Sequence, residues 1–525
     1  MNSNRAAAQP DLQPVASRFL ERSLLFTIVC HGAAMMSMAL LLLPGMPGGS
    51  ALDVRAAYLA DNPWLWRLGW LPWHLTALSD LLLAFAFLRT RWIPRFPAVL
   101  VLICTIIAVV IEQPNELIWS FQGVGFARSA LQTGDLAAYL SFESQTYVLV
   151  AGAAALFYTL GALGWTWCFA RTDVWSRQLK WLSWITWSVL LAVSIFPLLP
   201  ARLRPPDGVT AAGNAVGFAF MMLWFLTLTE RVLRRARPDS RDGRMAIWTH
   251  PQRNLFTSLL NILASSRLAR AYGELVPPLA FMSDITNVIY ANYLVEAERL
   301  LPHVPWGLEL QRLGTNGEYA LFTHLTYRHG HFGPRLLGPL RRLMPSPIQS
   351  NWRIYVFDPQ TDRHGIYFVT TAISQVAPAL LARLISEGLP MHIPHKAGLT
   401  TRPDGSFYVH LDAGVGTAPD LKMSLQPSPI PVLSTPWNEC FDSYHDFLAY
   451  CVPQDRGMSS QPWYRRVTRQ EIELGIPLES CEPLTGSVIS EAAHEIIGDA
   501  QPLCFHVPKV TFRFQREHYD AKSNP

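Results

Sequence analysis

Apolar residues crowd the chain before about residue 232, in runs such as LLFTIVCHGAAMMSMALLLL, WLPWHLTALSDLLLAFAFL, FPAVLVLICTIIAVVI and YVLVAGAAALFYTLGALGWTWCFA, with WLSWITWSVLLAVSIFPLL and AAGNAVGFAFMMLWFLTLT behind them. A helix needs roughly 20 apolar residues to cross a hydrocarbon core of about 30 Å. The third run is the shortest of the six. The pattern predicts six transmembrane helices over residues 23–232, preceded by a polar tail at 1–22.

From about residue 281 the period shifts from helical toward alternating. NVIYANYLV, EYALFTHLTYR, NWRIYVFD, HGIYFVTTAIS, FYVHLD and VTFRFQRE read as strands; APALLARLISE, CFDSYHDFLAYC and SVISEAAHEIIGDA read as helices. Many strands with few helices predict a mainly antiparallel α+β domain, a β-cone or barrel with a lumen suited to a ligand, over residues 281–516 and followed by a short tail at 517–525. Residues 233–280 join the two parts. They hold most of a basic linker, ERVLRRARPDSRDGR at 230–244, where the sixth run ends, and RNLFTSLLNILASSRLARAYGEL, an amphipathic helix that either lies on a membrane surface or packs on the following domain.

Positive charge sets the expected orientation. Arg18 and Arg22 precede the first run, Arg89, Arg91 and Arg95 follow the second, Arg177 and Lys180 follow the fourth, and Arg231, Arg234 and Arg235 follow the sixth. The opposite loops carry fewer cations, which predicts a multi-pass protein of a bacterial inner membrane with both termini cytoplasmic. The seven cysteines show no C-x-x-C spacing, in keeping with a reducing compartment. A net charge of +4, largely placed at the membrane flanks, gives no argument for nucleic acid. There is no phosphate loop, dinucleotide fingerprint, nucleophile elbow or kinase motif set, and no cofactor is expected.

DITNVIYANYLVEAERLLPHVPWGLELQRLG, NWRIYVFD, GIYFVTTAIS, ARLISEGLPMHIPHKA and FLAYC, in that order, resemble the uncharacterised bacterial branch of the acetoacetate decarboxylase-like superfamily. The resemblance covers the domain at 281–516 and none of the apolar part. It implies a closed β-cone with a buried pocket, and a homo-oligomer without indicating an interface. In the decarboxylases a lysine amine, kept unprotonated by burial or a cationic neighbour, forms a Schiff base with a β-keto acid; the handling of that amine is a standard case of an activated nucleophile. There the nucleophile belongs to a pair of adjacent lysines after a Gly-aromatic-Pro turn. Here the turn is Gly388, Leu389, Pro390, and Met391 and His392 follow. Direct register leaves the catalytic position without a lysine; Lys396 reaches it only if residues 393–395 loop out.

Two functions follow from these residues. In one, the domain binds a small organic acid or an apolar ligand. Alternation along NWRIYV puts Asn351, Arg353 and Tyr355 on one face and Trp352, Ile354 and Val356 on the other, so Arg353 serves as a planar fork for a carboxylate and Asn351 and Tyr355 orient it. In the other, the domain is a Schiff-base lyase working through Lys396, with His392 or His395 moving protons. A third reading makes the domain a sensor coupled to the helices. His324, His329 and His331 in HLTYRHGHFGP have the types but not the surroundings of a zinc site, and no metal is assigned. Within the apolar part, His74 and Asp80 lie six positions apart, about 240° around a helix, so each requires a partner on another span.

Overall fold

A computed structural model describes residues 18–89, 95–170, 175–236, 247–276, 279–386, 391–460 and 467–518. The chain divides into two compact units, Met1–Ala236 and Arg237–Pro525.

The first unit is helical. Among the described residues six helices are long and apolar enough to cross a membrane: α1 (Arg18–Gly45), α2 (Pro63–Arg89), α3 (Phe96–Thr133), α4 (Leu136–Phe169), α5 (Arg177–Leu198) and α6 (Gly208–Leu233). The third and fourth extend well past their apolar runs, at 38 and 34 residues. The extension of α3 is built from residues 112–133, including Pro114, and its Trp119 is buried in an indole cluster with Trp66 and Trp70 of α2. Arg55, on a short helix Leu52–Asp61, makes two hydrogen bonds of 2.9 and 2.6 Å to the carboxylate of Glu143, and both side chains are buried.

The second unit is a sheet with few helices. Its strands are β1 (Phe281–Glu296), β2 (Glu309–Leu310), β3 (Tyr319–Arg328), β4 (Gly333–Pro334), β5 (Ile348–Asp358), β6 (Arg363–Ile373), β7 (Lys396–Thr401), β8 (Phe407–Asp412), β9 (Leu421–Pro427), β10 (Arg456–Ser460), β11 (Val467–Leu474), β12 (Glu482–Ile489) and β13 (Pro502–His518). Pairing runs β1–β3–β5–β6–β10–β11–β13 and returns from β13 to β1; every contact in that circuit is antiparallel except β6–β10. The strands β7, β8, β9 and β12 continue from β13 as a separate flap.

Alternation then divides the apolar side chains between two cores. On the inner side of the circuit, Val288 and Tyr290 of β1, Leu325 and Tyr327 of β3, and Tyr355 of β5 pack with Ile366 and Phe368 of β6. On the outer side, Ala291, Tyr293, Phe322, Trp352, Ile354 and Val356 pack against Leu399, Val409, Met423 and Leu484 of the flap. Because both faces are covered, β5 is buried almost throughout. Gly457 on β10 makes room for this closure, since a Cβ there would meet Phe368 at 2.8 Å and Ile472 at 3.0 Å.

The helices of this unit include α7 (Leu255–Ala264), α8 (Val376–Leu384), α9 (Tyr444–Cys451) and α10 (Glu491–Ile497), with two shorter ones at Arg267–Gly273 and Ala297–Leu300. The segment before β1 is more than a linker: Trp248, Leu260 and Ala264 belong to the inner core, and the Trp248 indole donates to the Met391 carbonyl at 3.0 Å.

Trp352 is fully buried in the outer core, directly behind the inner-facing side chains of β5. Truncating a large buried aromatic costs about 3–5 kcal/mol. Trp352→Ala is expected to lower the thermal midpoint of the sheet unit in the detergent-solubilised full chain by several degrees or more, read by circular dichroism.

Candidate functional site

The inner face of β5 carries a buried cation. Arg353 is 3% exposed, and its Nη2 donates to the Cys451 carbonyl at 3.0 Å and to the Tyr355 hydroxyl at 3.2 Å. Cys451 is the last residue of α9, so this carbonyl belongs to the set a helix leaves unpaired at its C-terminus, where the partial charge is negative. Tyr355 donates to the same carbonyl at 3.1 Å, and its oxygen lies 3.2 Å from Thr323 Oγ1, which in turn donates to Asn292. The guanidinium also lies over the rings of Tyr290 and Tyr355, 5.5 Å from each centroid. Among the described residues no carboxylate pairs with Arg353, and its Nε has no hydrogen-bond partner.

Arg353 lines a cavity of about 40 Å³. On a scale where one water takes roughly 10–15 Å³ this holds about three waters, or an acid of a few heavy atoms. The walls are apolar, with Ile285, Val288, Leu325, Ile366, Phe368, Ile472 and Phe514 among them. The polar members are Arg353, Asn351, Tyr290, Tyr327 and Gln470.

Asn351 is held from behind by an ordered series of side chains. His329 lies 2.7 Å from Gln349 Oε1 and 2.8 Å from Ser283 Oγ; Gln349 donates to Asn351 Oδ1 at 2.7 Å, and Asn351 donates to the Tyr327 hydroxyl at 3.1 Å. Gln349 Oε1 can only accept, so His329 carries its proton on Nε2 and accepts from Ser283 through Nδ1. Burial pushes the Tyr355 phenol up to about 12, with neighbouring Arg353 pulling the other way; it is a neutral hydroxyl at neutral pH.

Gln470 was not singled out by its sequence context. It is 1% exposed, it projects from β11 into the cavity, and both its amide nitrogen and its amide oxygen lack partners. The signal lies in VTRQEIEL, where Thr468, Gln470 and Ile472 are buried between exposed or half-buried charged residues. The ladder changes register beside both polar groups, between Trp352 and Arg353 on the β5–β6 side and between Gln470 and Ile472 on the β11–β13 side. Such irregularities re-aim side chains and concentrate beside functional sites.

The residues of the proton-transfer reading fall elsewhere. Lys396 and His395 are exposed, and Lys396 opens β7 opposite Asp412. His392 is buried, with Nδ1 2.8 Å from Thr417 Oγ1, and burial followed by the field of Arg383 holds its imidazole down at about 3. None of the three lines the cavity. The turn residues Gly388, Leu389 and Pro390 lie outside the described residues. Asn351 and Arg353 are brought together on the cavity wall, while Tyr355 stands behind Arg353 and fixes it.

The histidines of HLTYRHGHFGP do not converge, and two of them are buried rather than solvated. His324 faces the outer core, 3.0 Å from the Tyr293 hydroxyl, whereas His329 belongs to the Asn351 series; His331 is exposed. In the helical unit, the ionisable groups take partners on other helices. His74 of α2 lies 2.9 Å from Gln113 and 3.2 Å from Glu116 of α3; Asp80 lies 3.6 Å from His31 of α1; Tyr158 of α4 donates to Glu112 at 2.6 Å.

Residues 283–401 match the family DUF2071, described as an uncharacterized conserved protein. That stretch falls within the region resembling the acetoacetate decarboxylase-like superfamily. Among solved structures, the chain is similar to the enduracididine biosynthesis enzyme MppR with HEPES buffer bound, at 12% identity and a TM-score of 0.34, covering 48% of this chain and 91% of that one. It is also similar to an acetoacetate decarboxylase-like enzyme from Sphingomonas wittichii RW1, at 9% identity and a TM-score of 0.34, covering 47% and 94%. No curated protein matches the chain. A fold does not determine a reaction.

Burial holds His324 at about 3, His329 at about 4 and His392 at about 3. Each folded value is depressed below the unfolded value near 6.5, so protonation favours the unfolded chain. Their stabilising effect is complete above about pH 6.5 and is lost as the pH falls toward 4 and then 3, by roughly 2 kcal/mol per histidine at pH 5. The thermal midpoint of the sheet unit is expected to drop between pH 7.5 and 4.5, and His329→Gln, which keeps one donor and one acceptor, is expected to shallow that drop.

Proposed function

We propose that the sheet unit binds a small organic acid on the inner face of β5, in a protein held in a membrane by α1–α6. The observation that carries this reading is Arg353: a buried guanidinium with no carboxylate partner among the described residues and an unpartnered Nε, at the wall of a cavity. A buried charge without an opposite charge is costly. A bound carboxylate supplies that charge and can accept from the fork of N–H groups that arginine presents. Gln470 offers a donor and an acceptor to a second polar group of the ligand, such as a keto or hydroxyl oxygen, and the apolar wall excludes longer polar chains.

Binding requires little rearrangement on this account. Tyr355 and the Cys451 carbonyl already hold one edge of the guanidinium, and the His329–Gln349–Asn351 series already orients the neighbouring amide. A preorganised polar group loses less on binding than a mobile one. Localisation in a bacterial inner membrane, with the sheet unit cytoplasmic, is supported by the arginines flanking the apolar runs.

The test uses the full chain in detergent with a panel of acids of two to four carbons, including acetate, pyruvate and acetoacetate. At least one is expected to raise the thermal midpoint of the sheet unit in a concentration-dependent way. Arg353→Met is expected to weaken that binding by tenfold or more, a loss of about 1.4 kcal/mol or more. An unchanged affinity removes the clamp. Borohydride reduction in the presence of acetoacetate is expected to leave Lys396 unmodified by peptide mapping; an adduct there establishes the lyase instead.

A further inference from the structure

The helix α7 is apolar on two sides. Thr257, Leu260 and Ala264 face inward, and Leu260 and Ala264 belong to the inner core. Leu255, Phe256, Leu259, Ile262 and Leu263 occupy the opposite side, at positions i, i+1, i+4, i+7 and i+8; the first four are between 57% and 82% exposed. Packing on the domain is therefore complete without this second stripe, which spans roughly 120° of the helix at 100° per residue. Single exposed apolar residues need no explanation, but five on one short helix form a contiguous patch.

Three features identify what covers it. The chain leaves α6 at Leu233 and reaches α7 at Leu255, so the patch is tethered within a short length of chain to the most apolar part of the protein. Between Gly243 and Gly273 there is no acidic residue, and exposed Arg253 immediately precedes the helix. A ten-residue helix is roughly 15 Å long, half a hydrocarbon core, so it cannot cross a bilayer and can only lie along its surface. A protein partner, or a second copy of this chain, would need a footprint of about 20–30 residues for a stable complex, several times what this stripe offers. A bilayer has no such requirement, because each apolar side chain inserts independently.

We infer that α7 lies in the headgroup region of an anionic bilayer, with Leu255, Phe256, Leu259, Ile262 and Leu263 inserted toward the acyl chains and Arg253 at the phosphates. The inner side of the same helix stays bound to the sheet unit, so α7 fixes one face of that unit against the membrane. This rests on the reading that α1–α6 are membrane-embedded.

The experiment reconstitutes the full chain into vesicles of phosphatidylcholine and phosphatidylglycerol. An environment-sensitive nitrobenzoxadiazole probe is attached at Leu259→Cys, at Thr400→Cys on exposed β7, or at Val110→Cys within α3, with the labelling of the parent protein subtracted. The probe at 259 is expected to shift to the blue and to be quenched by doxyl-labelled lipid several-fold more than the probe at 400. Quenching of 259 by aqueous iodide with none by lipid overturns the inference, as does protection from both, which indicates a protein covering. The probe at 110 separates the two levels: quenched by lipid while 259 is not, it leaves the spans in the bilayer and removes α7 from it; unquenched, it overturns the membrane reading and this inference together.

Discussion

A single positive charge inside a closed sheet is the constraint around which the second unit is organised. Arg353 cannot be left bare in an apolar interior, and the chain meets that demand only partly. The C-terminal carbonyl of α9 and the Tyr355 hydroxyl hold Nη2, while Nε is left without a partner. The placement of α9 against β5, the stacking of Tyr355 on Tyr450, and the line of hydroxyls from Tyr355 through Thr323 to Asn292 are all arranged around this one group. An interior built for stability alone would put an aliphatic side chain there. A site for an anion needs the charge and needs it half satisfied.

Several other polar groups of the interior are paired with one another. His329, Gln349, Asn351 and Tyr327 pass their hydrogen bonds from one to the next, and Asp358 is matched by Arg469. In the helical unit Arg55 and Glu143 answer each other directly. Against that background Gln470, unpartnered at both ends and facing Arg353's cavity, stands apart. Two polar groups with unmet hydrogen-bonding capacity thus line one small cavity, as the proposed acid site requires.

Much of this was legible in the residues. Alternation in NWRIYV separates Asn351, Arg353 and Tyr355 from Trp352, Ile354 and Val356, and the structure puts the two sets in different cores. The six apolar runs all become long helices. What could not be read depends on distant pairing. VTRQEIEL places charged side chains on either side of Gln470 and hides its strand character; only pairing with β10 and β13 turns that residue inward. Lys396 follows His392 closely in sequence, yet the β7–β8 hairpin begins there and leads the amine outward, while His392 is drawn into a bridge with Ala372. His324 and His329 look like a solvated pair until Tyr293, Ser283 and Gln349 arrive from other strands. For α7, packing on the domain accounts for only one of its two apolar sides.

On the proposed reading, an acid's carboxylate completes the hydrogen bonding of Arg353. The most direct measurement is an experimental structure of the full chain with a bound short carboxylate. One carboxylate oxygen is expected within about 2.7–2.9 Å of a guanidinium nitrogen of Arg353, with the remainder of the ligand directed toward Gln470. A carboxylate bound away from Arg353, or a ligand covalently attached to Lys396, would contradict it.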